Sequence, residues 1–168
     1  MAIKTVVQTG SQTARDEVRT LANTLALIIA NDTLTAAGCA TATVTSQVKT
    51  VNTLTYLIDG AYKTKAATDN FWTLAGATVP VASFQKYYLL IDGSGAASVV
   101  QGVPSTVSAA AVVLPFPPQS KAIVGVLTIA TDATHTFIPG TTLLGAAGIT
   151  ATFNDGFDPS TLSLVVLG

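Results

Sequence analysis

The residue types that catalysis most often needs are scarce in this chain. His135 is the single histidine, Cys39 the single cysteine and Glu17 the single glutamate. A Ser-His-Asp arrangement would have to use His135, yet no serine stands in the sequence context of a nucleophile elbow. His135 and Cys39 match no zinc-binding spacing, and a glycosidase pair of carboxylates would have to come from aspartates at turns. The sequence therefore predicts a protein that is not an enzyme, with no catalytic residue, no metal site and no cofactor.

Three aspartates each stand directly before a glycine, at Asp59, Asp92 and Asp155. A calcium loop needs a series of alternating oxygen ligands, and no such series surrounds these positions. Asp-Gly is instead a strong signal for a tight turn between strands. We therefore interpret all three dipeptides as turns.

Two further sets of residues each allow two interpretations. Cys39 cannot form an internal disulfide, so it is either a small apolar side chain packed inside or one half of an intermolecular bridge. Aromatic residues at alternating strand positions usually belong to the core, but the same side chains could be stacking platforms of a carbohydrate-binding module. These aromatic residues are Tyr56, Tyr62, Trp72, Tyr87 and Tyr88.

The composition points to a surface that packs against other surfaces. Only 10% of the 168 residues are charged, whereas an ordinary soluble domain has roughly 25%. The net charge is −1 and the basic residues are scattered, which argues against nucleic acid as a partner. The apolar run at residues 25–30 is far shorter than the roughly 20 residues that cross a bilayer, so we expect no membrane partner.

The N-terminal part predicts an extended arm over residues 1–10 and an amphipathic helix over residues 13–30. Thr13 can cap this helix, and Asp16 lies three residues later in the spacing of a capping box. An apolar stripe then recurs at helical spacing, so we expect it either to pack on the protein's own β-domain or to form an interface with other copies or a scaffold. The candidate interface residues of this stripe are Val18, Leu21, Leu25 and Ile28.

From about residue 40 the sequence predicts short strands separated by turns. Residues 41–45 and 51–58 alternate in the way of half-buried strands, and Asp59-Gly60 predicts a two-residue hairpin turn. The hairpin pattern returns at Asp92-Gly93, and the continuous apolar run at residues 122–129 predicts a strand buried on both faces. The fold class is mainly β, a β-sandwich or barrel-like domain of short antiparallel strands preceded by one helix. We place the arm and helix in residues 1–35 and the β-domain in residues 36–168.

Three segments resemble virion structural proteins of tailed bacteriophages. They are YLIDGAYKTKAATDN at residues 56–70, KAIVGVLTI at 121–129 and FIPGTTLLGAAGITATF at 137–153. The resemblance implies a capsid decoration (cement) or head-fibre protein, a homotrimer that binds the major capsid protein on the outer surface of the head. It also implies synthesis in the host cytoplasm and a place on the capsid surface of the virion. A tail, baseplate or fibre component and a carbohydrate-binding β-domain are the alternatives.

Overall fold

The computed structural model describes residues 15–19, 31–115, 118 and 120–156 of the chain. Residues 15–19 are helical and exposed. The rest of the described chain is mainly β, as predicted, with one short 3-10 helix at Ala109–Ala111. Its strands are β1 (Asp32–Thr33), β2 (Cys39–Thr41), β3 (Gln47–Thr50), β4 (Leu54–Ile58), β5 (Ala61–Lys65), β6 (Trp72–Thr73), β7 (Phe84–Asp92), β8 (Ala97–Gln101), β9 (Lys121–Thr131) and β10 (Ile149–Asp155).

The strands form three antiparallel sheets. The largest has the order β10-β9-β7-β8, and the two smaller ones have the orders β1-β4-β5 and β2-β3-β6. Buried side chains from all three sheets contact one another in a single apolar core. Among the described residues, no helix has both the length and the apolar character needed to cross a membrane.

The hairpin at Asp59-Gly60 forms as predicted. Strands β4 and β5 pair across this two-residue turn, with Ile58 opposite Ala61. Asp59 and Gly60 have φ angles of 51° and 74°, as a type I′ turn requires. The alternation of the sequence also holds, because Leu54, Tyr56 and Ile58 are all buried on one face of β4.

The second predicted hairpin also forms, but with a longer loop. Strands β7 and β8 pair from Ile91 and Ala97 onward, which leaves residues 93–96 in the turn beyond Asp92. The Asp92 carboxylate accepts hydrogen bonds from the amides of Ser94 and Ala96, at 2.8 Å and 3.0 Å. These bonds organise a wider turn than the Asp-Gly dipeptide alone predicts.

Strand β9 contains a bulge that explains its continuous apolar run. Opposite Leu89 and Leu90 of β7, the register skips from Gly125 to Ile123, so Val124 is the extra residue on β9. The buried positions of β9 therefore change parity at the bulge, from Leu127 and Ile129 to Ala122 and Val124. The prediction that both faces are buried is wrong, because the other face of β9 is only half-buried apart from the bulge.

The strand predicted over residues 41–45 is also wrong. Strand β2 ends at Thr41, and the chain then turns back into β3 with the amide of Ala42 donating to Gln47. Side chains from another part of the chain accept the next two amides. Asp69 binds the Thr43 amide at 3.0 Å, and Asn70 binds the Val44 amide at 2.8 Å.

The three sheets are joined by polar side chains that bond to backbone groups of a neighbouring sheet. The buried Thr33 hydroxyl of β1 donates to the Ile123 carbonyl at the bulge of β9, at 2.6 Å. The Trp72 indole of β6 donates to the Leu90 carbonyl of β7 at 2.9 Å, and both partners are buried. The same β2-β3-β6 sheet is held a second time at β2, where the Asp155 carboxylate of β10 accepts from the amides of Gly38 and Cys39.

We expect Thr33→Val to lower the free energy of unfolding by about 1–2 kcal/mol. The change keeps the shape of the side chain but removes the donor to Ile123, so it leaves a carbonyl oxygen at the bulge without this partner. Urea unfolding can be followed by the fluorescence of Trp72, which is fully buried and the single tryptophan. Thr152→Val on the exposed face of β10 is the matched control, with an expected change within about 0.5 kcal/mol. Equal effects of the two substitutions would contradict the role of Thr33.

Candidate interaction surface

The side chain of His135 lies in an exposed cluster with Asp132 and Thr134. Its Nδ1 is 2.9 Å from both carboxylate oxygens of Asp132 and 2.9 Å from the Thr134 hydroxyl. In a catalytic triad the nucleophile and the carboxylate bind opposite ring nitrogens. Here both partners meet the same nitrogen, so the cluster lacks the geometry of a triad. It closes the turn after β9, since Asp132 also accepts from the amides of Thr134 and His135.

These hydrogen bonds change the acidity of Asp132. The pKa of its carboxyl lies well below the ordinary value of 3.8, first because of the Thr134 amide and then because of His135. In the described part of the chain, His135 and Asp132 form the one ion-pair contact, and no three acidic, histidine or cysteine side chains are placed to hold a metal ion.

Cys39 is partly buried and packs against the apolar core. Burial raises the pKa of the Cys39 thiol, and the charge of Asp155 and a hydrogen bond to it raise that pKa further. Since the thiolate is the species that attacks a disulfide, this environment disfavours exchange. The observation supports the interpretation of Cys39 as a small apolar side chain over that of an intermolecular bridge.

The aromatic residues divide between the core and the surface. Tyr56, Trp72 and Tyr87 are buried, so they cannot stack on a ligand. Tyr88 is half-buried, and Tyr62 on β5 is 66% exposed. Of the five candidate stacking platforms, Tyr62 is thus the one whose side chain is exposed to a ligand.

The apolar stripe predicted for the N-terminal helix falls almost wholly outside the described residues. Of its members, Val18 is described: it lies in the helical residues 15–19 and is 67% exposed. Leu21, Leu25 and Ile28 are outside the described residues, as are the arm at residues 1–10 and the remainder of the helix. The stripe stays a prediction, and so does the boundary between residues 35 and 36.

The segment between β8 and β9 carries an apolar surface that sequence patterns did not predict. Val103, Val107 and Val113 are 64%, 82% and 64% exposed, and we call these three residues the valine surface. Val103 and Val113 are directly opposite each other in an antiparallel bridge, so their side chains lie on the same face. From residue 93 to residue 120 the sequence contains no charged residue.

This segment is held firmly against the four-stranded sheet. The amide of Gly102 donates to Lys86, and Phe84 and Ser105 exchange two backbone hydrogen bonds. A Cβ atom at residue 102 would lie 2.7 Å from the Val113 carbonyl, so only glycine allows the two strands of the segment to approach this closely. Val112 is buried beneath the segment while its neighbour Val113 is exposed. The backbone that carries the valine surface is therefore held in place by hydrogen bonds to the four-stranded sheet.

An absence of charge was the signal that could have found this surface. The segment has neither the helical nor the alternating period on which sequence patterns depend. It carries exposed valines and lies within 28 successive uncharged positions, which run from residue 93 in the turn before β8 to residue 120. Val103 and Val113 lie side by side, and contiguous exposed apolar side chains mark sites of interaction in soluble proteins.

A scan against protein-family models, a search of curated proteins and a search of solved structures each found no match for the chain. The resemblance to phage virion proteins therefore depends on the three quoted segments alone.

We expect stability to fall on acidification, partly through Asp132. A carboxyl whose pKa is lowered by folding stabilises the protein above its unfolded pKa of about 4, and that stabilisation is lost as the pH falls towards the lowered value. Asp132→Asn keeps the acceptor oxygen but cannot titrate, so its unfolding free energy should depend less steeply on pH below about 4. Urea unfolding over an acidic pH series measures this slope. A slope equal to that of the natural chain would contradict the assignment.

We expect alkylation of Cys39 by iodoacetamide at neutral pH to be more than about tenfold slower in the folded protein than in the unfolded chain. The reason is that each unit by which the pKa rises lowers the thiolate population about tenfold. Asp155→Asn removes the neighbouring charge and should accelerate the reaction, although burial still slows it. Asp59→Asn, at an exposed turn, is the control and should leave the rate of alkylation unchanged. Equal rates in folded and unfolded protein would refute the raised pKa.

Proposed function

We propose that the chain is a structural subunit of a larger assembly, and specifically a decoration protein on the outer surface of a tailed-phage capsid. The valine surface carries this proposal. Three exposed valines on a firmly held, uncharged segment offer an apolar contact area that binding to another protein would bury. The resemblance of residues 56–70, 121–129 and 137–153 to phage virion proteins supplies the particular assembly.

The partners in this proposal are the major capsid protein and other copies of the chain in a homotrimer. The resemblance supports the trimer, and the low charge supports wide contacts with both partners. Protein interfaces are depleted of charged residues at their centres, which fits a chain with 10% charged residues. The valine surface carries no charge. Burying it against a neutral patch of a neighbouring subunit would therefore leave no charged group unpaired.

We also propose that the β-region is a sandwich. Its largest sheet, β10-β9-β7-β8, presents Tyr87, Leu89 and Leu127 to a core that Leu54 and Tyr56 of the β1-β4-β5 sheet share. Two sheets with a common apolar layer are the arrangement of a sandwich. The β2-β3-β6 sheet closes one side of this core through Val48 and Trp72.

Two alternatives remain as second proposals. A tail or baseplate component would have the same contact chemistry, and imaging of labelled protein in virions would favour it if the label were confined to the tail. A carbohydrate-binding β-domain would have to use Tyr62, the open aromatic platform. A glycan array without hits would remove that alternative.

We expect Val107→Asp and Val103→Asp to weaken binding to expanded capsid shells by more than about 30-fold, because a carboxylate at the centre of an apolar contact costs more than about 2 kcal/mol. Val51→Asp is the matched control, since Val51 is 56% exposed in the turn between β3 and β4. Co-sedimentation with expanded shells of a tailed-phage major capsid protein measures binding, and light scattering measures the oligomer.

Two outcomes of this experiment would overturn parts of the proposal. If the natural chain does not bind expanded shells, the decoration role is wrong. If it binds but the Val103 and Val107 variants bind equally well, the valine surface is not the contact. Unfolding free energies within about 0.5 kcal/mol of the natural chain show that the variants are folded.

A further inference from the structure

We infer that Asp59 is a site at which the folded chain converts spontaneously to isoaspartate, while Asp92 and Asp155 are protected. All three precede a glycine, whose backbone nitrogen is sterically open to attack on the aspartyl side chain. The sequence alone therefore treats them alike. The structure distinguishes them by what holds each carboxylate and each glycine amide.

At Asp59 both reacting groups are free. Among the described residues, no hydrogen bond reaches the Asp59 carboxylate, and the amide of Gly60 is not donated to any acceptor. Both residues are exposed, and a Cβ atom at Gly60 would meet nothing within 4 Å. The backbone amide of Asp59 donates to the Asn31 side chain at 3.0 Å, and this bond leaves both reacting groups open.

At Asp155 both groups are held. The two carboxylate oxygens accept from the amides of Gly38 and Cys39, at 3.1 Å and 2.9 Å. The nucleophile is occupied as well, because the Gly156 amide donates to the Val124 carbonyl at 2.7 Å. Attack would require these hydrogen bonds to break and β10 to separate from its neighbours.

At Asp92 the carboxylate is held by its own turn. One oxygen accepts from the Ser94 hydroxyl and amide and from the Ala96 amide. These bonds lower the pKa of Asp92 and keep it ionised. The reaction requires the neutral carboxyl, since a hydroxyl has to leave, so the lowered pKa protects Asp92 a second time.

The reaction consumes no reagent besides water. The Gly60 nitrogen forms a bond to Cγ of Asp59 while the bond from Cγ to the carboxyl hydroxyl breaks, and that hydroxyl leaves with the amide proton as water. The product is a five-membered succinimide. Water then cleaves the bond between the Gly60 nitrogen and the backbone carbonyl carbon of Asp59, and the main chain now runs through Cβ and Cγ. The mass is unchanged and one backbone atom is added to the hairpin turn.

The experiment ages the full chain at neutral pH for several weeks, folded in one sample and urea-unfolded in another. Electron-transfer fragmentation of the digested protein then measures isoaspartate at each position. In urea we expect all three positions to react at similar rates. In the folded chain we expect Asp59 to react at least about tenfold faster than Asp92 and Asp155, because one charge-assisted hydrogen bond that must break first costs a factor of about ten in rate.

Three variants serve as controls. Asp59→Glu cannot form the five-membered ring and should remove the reaction at position 59. Asp59→Asn forms the same succinimide with loss of ammonia, so it should react faster at the same turn. Ser94→Ala removes one bond to Asp92 and should accelerate position 92 alone.

Two results would overturn the inference. The first is a folded chain in which Asp92 or Asp155 keeps pace with Asp59. The second is a folded chain in which Asp59 stays unchanged while the unfolded chain reacts, since this would mean that the hairpin turn itself prevents attack.

Discussion

Hydrogen bonds from side chains of one sheet to the backbone of another are the constraint on which this structure depends. The described residues provide a single ion-pair contact, between His135 and Asp132 at the surface, so ion pairs do little to fix the sheets relative to one another. Thr33 fixes the β1-β4-β5 sheet to the four-stranded sheet, and Trp72 and Asp155 fix the β2-β3-β6 sheet to it at two places. Apolar contacts are non-directional, whereas these bonds have defined geometry, and each buried partner would be costly to leave unmade.

Local features of the fold could be predicted from the sequence, and long-range ones could not. The β4–β5 hairpin was predictable because Asp59-Gly60 sets the turn and the alternation of Leu54, Tyr56 and Ile58 sets the buried face. The bulge at Val124 was not predictable, because it is defined by the pairing of β9 with β7, a strand far away in the chain. The prediction of a strand over residues 41–45 was wrong for the same reason. Side chains from outside the local sequence, those of Asp69 and Asn70, accept hydrogen bonds from two of its amides.

The candidate site shows a similar division. The scarcity of histidine, cysteine and glutamate indicated that the chain has few of the residues that active sites use. The low content of charged residues indicated surfaces that contact other proteins. The place of one such surface required coordinates, because Val112 and Val113 are neighbours of the same residue type and only the second is exposed. Exposure here depends on the bridge to Val103 and on the close approach that Gly102 permits. None of these has a signature in the local sequence.

The bond between Asp155 and the amide of Gly38 spans 117 positions of the chain. During synthesis, a ribosome therefore releases β2 long before its anchoring carboxylate exists. Until then the Trp72 bond to Leu90 can hold the β2-β3-β6 sheet, but β2 lacks its acceptor on Asp155. Chains whose contacts join distant segments fold slowly for this reason. The contact between β2 and β10 therefore forms only after both of the segments that it joins have left the ribosome.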